Sequence, residues 1–158
     1  MRPRSDALEC HLLSARWVGP LLRFLRSLEE AGEERFFSPH PFTERHVAAL
    51  ARRTGKDLHY VLTVGGTVVG YGLLRGWDEG YEVPSLGIAV HPSARGRGLG
   101  RALMIFLHAA AAMKGASRVR LRVSPDNLTA IALYSSLGYT FAVEEDGLRV
   151  GIIDLKRK

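Results

Sequence analysis

The sequence is poor in cysteine and has no long apolar run. Its single cysteine, Cys10, has no partner for an internal disulfide, and no cysteine–histidine cluster has the spacing of a zinc site. No apolar run approaches the roughly 18 residues that a membrane-spanning helix needs. The basic segment Met1–Arg4 is not followed by the apolar stretch of a signal peptide. We therefore expect a cytoplasmic protein with no membrane partner and no bound metal.

Acidic residues are absent from the segment Val83–Pro125. Outside it, 15 basic residues balance 16 acidic ones, so the net charge of +6 comes from the segment alone. Such a concentration of positive charge in one segment predicts a polyanionic ligand, either nucleic acid or a phosphorylated cofactor. Phe106 is the only aromatic residue there, and base stacking needs aromatic side chains among the basic ones, so no nucleic acid is expected. The segment's basic residues are Arg95, Arg97, Arg101, Lys114, Arg118, Arg120 and Arg122.

Apolar spacing and turn residues predict the element order β-α-α-β-β-β-α-β-α-β-β. The predicted strands are Cys10–Trp17, Leu58–Val64, Thr67–Leu74, Val83–His91, Arg118–Val123, Tyr139–Glu144 and Leu148–Leu155. The predicted helices are Val18–Ala31, a short helix capped by Thr43 and ending at Arg52, Leu99–Lys114, and Asn127–Leu137. We predict a single domain over residues 1–158 of the α/β (α+β) class, a mixed sheet of about seven strands flanked by about four helices.

The most informative segment runs from Leu86 to Arg101, where a strand, a turn and a glycine-rich loop lead into an amphipathic helix. Glycines let the backbone approach a ligand closely, and the first turn of a helix offers unpaired N–H groups to an anion. Arginine guanidinium groups add donors suited to phosphate. The dinucleotide pattern G-x-G-x-x-G fails here, and no Gly-Lys-Ser/Thr of a nucleotide P-loop is present.

The spacing that fits is Arg-x-x-Gly-x-Gly, with Arg95, Gly98 and Gly100. It resembles the pyrophosphate-binding motif of the GNAT superfamily of N-acetyltransferases, and the preceding strand and His-Pro turn are similar to that family too. The resemblance implies that acetyl-CoA is the acyl donor. The implied coenzyme-binding residues are Ile88, Ala89, Val90, Arg95, Gly96, Arg97, Gly98, Leu99, Gly100 and Arg101.

A second motif lies at Leu121–Tyr139. Asn127 is a plausible helix cap, and Tyr134 follows seven residues later, which puts both on nearly the same helix face about 10 Å apart. This also resembles the family, where an asparagine precedes a Leu-Tyr pair and a terminal Gly-Phe/Tyr. The resemblance implies that Asn127 contacts the pantetheine arm and that Tyr134 is the general acid. Read alone, Asn127 can be a helix cap and nothing more, and the position of Tyr134 favours a half-buried core tyrosine over a catalytic residue.

The predicted reaction is direct transfer of acetyl from acetyl-CoA to a primary amine. Many family members carry a glutamate just before the Leu-Gly-Ile segment, but this chain has Ser85. We predict a water chain anchored by Ser85 and ending at Glu82, although Glu82 could equally be a solvated charge. The acceptor, a small molecule or a peptide, stays open, as does a homodimer. The alternatives are a longer acyl-CoA donor, an acyl-CoA-binding protein without catalysis, and a basic nucleic-acid-binding module.

Overall fold

In the computed structural model, which describes residues 6–155, one seven-stranded sheet is flanked by four α-helices. The strands are β1 (Leu8–Leu12), β2 (Leu58–Val64), β3 (Thr67–Arg75), β4 (Ser85–Val90), β5 (Arg118–Val123), β6 (Thr140–Glu145) and β7 (Leu148–Asp154). The helices are α1 (Val18–Glu30), α2 (Glu44–Arg52), α3 (Leu99–Met113) and α4 (Leu128–Leu137). The predicted fold class and element order are confirmed, and all bounds except those of β1 agree within two residues.

The first strand is the exception, because it is shorter and lies earlier than the predicted Cys10–Trp17. Strand β1 is an edge strand that pairs only with β2, and it ends where Leu12 meets Tyr60. Beyond it the chain turns, and the N–H of Trp17 donates to the carbonyl of Ser14. Trp17 is buried all the same. The predicted strand Cys10–Trp17 is therefore wrong in its bounds, because a helical turn and not a strand buries Trp17.

The sheet has the order β1-β2-β3-β4-β5-β7-β6, and its only parallel pair among the described strands is β4–β5. These two strands pair at a single position, Ser85 opposite Arg120. Past that point they have no ladder pairing. The backbone of β4 from Gly87 to Val90 is therefore paired with β3 on one edge and left open on the other.

Each face of the sheet buries its own apolar cluster. Helices α1 and α2 cover β2 and β3 through residues such as Leu21, Leu25 and Val47, all fully buried. Helices α3 and α4 cover the opposite face, where Leu107 and Leu121 are buried. The cluster beneath α1 and α2 includes no residue of β5, and the face of β5 opposite α3 carries Arg118, Arg120 and Arg122.

A buried histidine makes stability depend on pH. His59 lies on β2 beneath α1 and α2 with 8% of its surface exposed. Burial, with smaller repulsion from nearby His40, Arg53, Arg75 and His46, lowers the pKa of His59 to about 4. The unfolded chain, with a pKa near 6.5, therefore binds the proton first as pH falls. This contribution to stability is complete above pH ~6.5 and is lost as pH falls towards ~4.

We expect the free energy of unfolding to fall by up to ~3 kcal/mol over that window on account of His59. Denaturant unfolding of the protein and of His59→Leu, at steps from pH 7.5 to pH 4, measures the effect. The variant should lose stability more slowly with acid than the parent protein. Equal slopes for the two proteins would show that His59 does not carry the effect.

Candidate active site

A cleft of about 660 Å³ opens between the start of α3, the open edge of β4 and the start of α4. We call it the α3 cleft. Tyr134 lines it, and so does every residue predicted to bind coenzyme A except Arg97. The predicted residues on its wall are Ile88, Ala89, Val90, Arg95, Gly96, Gly98, Leu99, Gly100, Arg101 and Asn127. Two motifs that are far apart in the chain thus meet in one cavity.

The glycine turn that begins α3 is shaped to admit an anion. Gly96 and Gly98 have φ of 81° and 77°, and a Cβ added at either would meet no atom within 4 Å. No side chain among residues 6–155 caps the helix, and its first backbone bond runs from the N–H of Ala102 to the carbonyl of Gly98. The N–H groups of the first turn are therefore left for a ligand. The open cradle and these donors fit a pyrophosphate group.

The three arginines of the glycine loop and the start of α3 differ in their hydrogen-bond partners and in their position relative to the cleft. Arg95 makes two hydrogen bonds of 3.2 and 3.0 Å with the carboxylate of Glu33, and this pairing lowers the pKa of Glu33. Arg101 donates to the hydroxyl of Ser136 at 2.6 Å. Arg97 is exposed and does not line the α3 cleft. A phosphate at the loop would meet Arg101 at the cleft wall and would compete with Glu33 for Arg95.

Asn127 caps helix α4. Its side-chain oxygen accepts a hydrogen bond of 3.3 Å from the N–H of Ala130. An asparagine amide also has an NH₂ group with two donors, and the capping bond does not use them. Asn127 also lines the α3 cleft. The cap is confirmed, and its contact with a pantetheine arm stays a prediction.

Tyr134 has a buried ring and a hydroxyl that reaches the cleft. Only 7% of its surface is exposed, and burial raises its pKa to about 12. Its hydroxyl makes no hydrogen bond with any residue from 6 to 155, yet none of the side-chain N or O atoms in that range is both buried and unpaired. The oxygen must therefore have accessible surface, and the cavity that Tyr134 lines is the α3 cleft. The hydroxyl is therefore protonated at neutral pH, as a proton donor must be, although burial makes it a weaker acid than an exposed tyrosine.

A second cavity, of about 930 Å³, lies on the face of the sheet that carries the β5 arginines. We call it the arginine cavity, after Arg75, Arg120 and Arg122 in its wall. Ser85 and Glu82 also line it. Both predicted base residues therefore lie in a cavity separate from the α3 cleft. The two cavities share Phe36, Phe37, Leu86, Gly87 and Arg122.

Sequence reasoning missed the contribution of the segment between α1 and α2. Its residues Glu33 and Arg35 line the α3 cleft, Ser38 and Pro39 line the arginine cavity, and Phe36 and Phe37 border both. The segment is tied to the glycine loop by the pair Arg95–Glu33, which spans 62 residues of sequence. No local pattern signals a contact between residues so far apart.

Residues 6–155 contain neither a cluster of metal ligands nor a membrane-spanning helix. In that range no group of three or more His, Cys, Asp or Glu side chains is placed to hold a metal ion. No helix there has the length and apolar character to cross a membrane.

Comparison with known proteins identifies the family. The model of the acetyltransferase (GNAT) family matches residues 22–139. This chain therefore belongs to the GNAT acetyltransferase family. It is 36% identical over 83 residues to an acetyltransferase of Sodalis glossinidius, and the match covers 52% of this chain and 57% of that protein. The matched region thus spans little more than half the length of this relative.

Two solved structures share the fold. The PaiA N-acetyltransferase of Thermoplasma acidophilum, solved in complex with coenzyme A, has a TM-score of 0.81 at 14% identity and covers 94% of this chain and 99% of its own. YncA of Salmonella typhimurium, solved with its cofactor acetyl-CoA, has a TM-score of 0.78 at 20% identity and covers 97% and 96% of the two chains. At these identities the likeness establishes a common fold.

Proposed function

We propose that this protein transfers the acetyl group of acetyl-CoA to a primary amine, with both substrates bound at once. The observation that carries the proposal is the meeting of two cavities at Leu86 and Gly87. One cavity has an anion cradle at its mouth and Tyr134 in its wall. The other is the arginine cavity, whose wall holds Ser85 and Glu82, the residues proposed to receive the proton of the amine. A thioester extending along β4 from the cradle would reach the junction.

The open edge of β4 would hold the pantetheine arm, since its main-chain groups beyond Ser85 have no partner on β5. An amide of the backbone there can also polarise the thioester carbonyl as negative charge develops on its oxygen. The solved structures with coenzyme A and acetyl-CoA, named above, favour these ligands for the α3 cleft. Holding donor and acceptor together supplies much of the rate by proximity.

The amine must be neutral when its nitrogen attacks the thioester carbonyl carbon. The C–N bond then forms, the tetrahedral intermediate collapses, and the C–S bond breaks with its electron pair going to sulfur. The Tyr134 hydroxyl gives its proton to the departing thiolate. The attacking nitrogen loses its remaining extra proton as the amide forms, and that proton passes through water to restore the Tyr134 hydroxyl. The proton of the incoming ammonium leaves through a water held by Ser85, with Glu82 as the terminus. No covalent enzyme intermediate is required, and Cys10 is not among the residues that line either cavity.

An acceptor screen tests the function directly. The protein is mixed with acetyl-CoA and a panel of amines, and free thiol is measured against a no-amine blank. Thiol release that depends on an amine, with a matching N-acetylated product by mass spectrometry, is expected. If longer acyl-CoA donors reacted faster, the acyl preference would need correction. If coenzyme A bound but no amine gave thiol, the protein would be an acyl-CoA-binding protein without this activity.

The role of Glu82 is tested by Glu82→Gln. If Glu82 ends the water chain, the variant should have a lower kcat/KM and an altered acidic limb of the pH–rate profile, because the relay loses its carboxylate. Glu30→Gln is the control for charge removal, since Glu30 is also exposed but lines neither cavity. An unchanged rate and profile in Glu82→Gln would return Glu82 to a solvated surface charge.

A further inference from the structure

The floor of the arginine cavity carries a row of three polar side chains across three strands. In the sheet register, Arg75 of β3 is opposite Ser85 of β4, and Ser85 is opposite Arg120 of β5. Residues opposite each other across a sheet project from the same face with their Cβ atoms about 5 Å apart. All three line the cavity. Two guanidinium groups therefore flank the hydroxyl that lies next to the junction of the two cavities.

Arg75 differs from the other cavity arginines in having no acidic partner among residues 6–155. It is partly buried, and its Nη1 donates to the backbone carbonyl of Pro39. Arg120, by contrast, makes bonds of 2.9 and 3.0 Å with the carboxylate of Glu145. Arg122 lies 3.7 Å from the carboxylate of Asp146. Arg75 is thus the cavity guanidinium whose charge is left for a bound anion.

The cavity wall also carries negative charge. Glu79 and Glu82 lie on the segment between β3 and β4, and both are exposed. Neither makes an ion pair with any other described residue. One cavity therefore presents an unpaired cation on its floor and two unpaired carboxylates on its wall. A ligand that satisfies both must carry an ammonium and an acid group.

Resting on the proposed function, we infer that the acceptor is a small amine with a carboxylate or phosphate-type group a few bonds from its nitrogen, and that Arg75 binds that acid group. The short distance follows from the row on the floor, where Arg75 is one strand away from Ser85 at the junction. An amine without the acid group would leave the Arg75 charge unpaired inside an occupied cavity. Sites built to pair a substrate polar group discriminate strongly against an analogue that lacks it.

The test compares matched acceptors that differ only in the acid group. These are ω-amino acids, the carboxamides of the same compounds, and aminoalkyl phosphonates of equal chain length. We expect kcat/KM to be on the order of 10²-fold higher for an acid-bearing amine than for its carboxamide. The ratio between the carboxylate and phosphonate series then decides which acid group the site prefers.

Arg75→Gln should remove most of this preference by raising KM for the acid-bearing amine, with little change for the carboxamide. Arg75→Lys keeps a positive charge and should retain part of the preference for the acid-bearing amine. This variant therefore separates loss of the charge from loss of the hydrogen bond to Pro39. Arg118→Gln is the matched control, since Arg118 lies two residues before Arg120 on β5 but lines neither cavity. The control should behave like the parent protein.

Equal kcat/KM for acid and carboxamide, or a preference for peptide N-termini without a nearby acid group, would overturn the inference while leaving the proposed function intact. Calorimetry with the same compounds separates the selectivity of the cavity from the transfer activity of the protein. If no amine released thiol, the proposed function would fall, and binding would still decide the ligand class. If the acid-bearing amine binds and its carboxamide does not, and Arg75→Gln loses that binding, the inferred class of ligand is upheld. Equal binding of the two compounds would refute it.

Discussion

Replacing Gly98 by valine is expected to abolish the binding of coenzyme A. Gly98 immediately precedes α3, and the space where a Cβ would stand is empty of protein atoms within 4 Å. A branched side chain would fill the place where we propose that the pyrophosphate approaches the first-turn N–H groups. Isothermal calorimetry should detect no binding at coenzyme concentrations well above those that saturate the parent protein.

Backbone strain needs its own control, because Gly98 has a φ of 77° and valine adopts this region poorly. Gly66→Val is the matched variant. Gly66 has a φ of 82° in the turn between β2 and β3, and a Cβ there also meets nothing within 4 Å. Both variants should lose similar stability, but only Gly98→Val should lose the ligand. Undiminished affinity in a folded Gly98→Val protein would refute the cradle.

Replacing Tyr134 by phenylalanine is expected to lower kcat by roughly 10²-fold or more, with acetyl-CoA affinity nearly unchanged. The substitution keeps the buried ring and removes only the hydroxyl. That hydroxyl makes no hydrogen bond within residues 6–155, so its loss should cost little stability. Steady-state kinetics with a saturating acceptor, combined with calorimetry for the donor, separates the two parameters.

Tyr139→Phe is the natural comparison for this variant. The rings of Tyr134 and Tyr139 lie 5.8 Å apart, but Tyr139 does not line the α3 cleft, and its hydroxyl is bonded to Nε2 of His108 at 2.7 Å. Its loss should therefore affect stability more than kcat. A near-normal kcat in Tyr134→Phe would make Tyr134 a core residue and require another proton donor.

Local patterns in the sequence were enough to predict most of the fold. The glycine pair at Gly65 and Gly66 marks the hairpin between β2 and β3, and Thr43 caps α2 by accepting a bond of 3.2 Å from the N–H of His46. Signals of this kind act between residues that are near in the chain. They failed at Trp17, where burial comes from a turn and not from strand alternation.

The site was predictable only where it is built from consecutive residues. The loop from Arg95 to Gly100 carries its chemistry in its own sequence, so its place in a cleft could be anticipated. The arginine cavity could not, because Arg75 and Arg120 become neighbours of Ser85 only through pairing of three strands. The same holds for Glu33, whose contact with Arg95 depends on how the segment after α1 packs.

Because β4 and β5 pair at a single position, the sheet ladder alone does not fix the distance between the β4 backbone and Tyr134. With one ladder position at Ser85 and Arg120, backbone hydrogen bonds contribute little to that spacing. Beneath the gap, Leu86 of β4 and Leu121 of β5 belong to one apolar cluster with Leu107 of α3 and Tyr134. The bulk of these side chains therefore acts as a spacer between the β4 backbone and the tyrosine. Substitutions at Leu107 or Leu121, which line neither cavity, would therefore alter the spacing between the β4 backbone and the tyrosine that we propose as the proton donor.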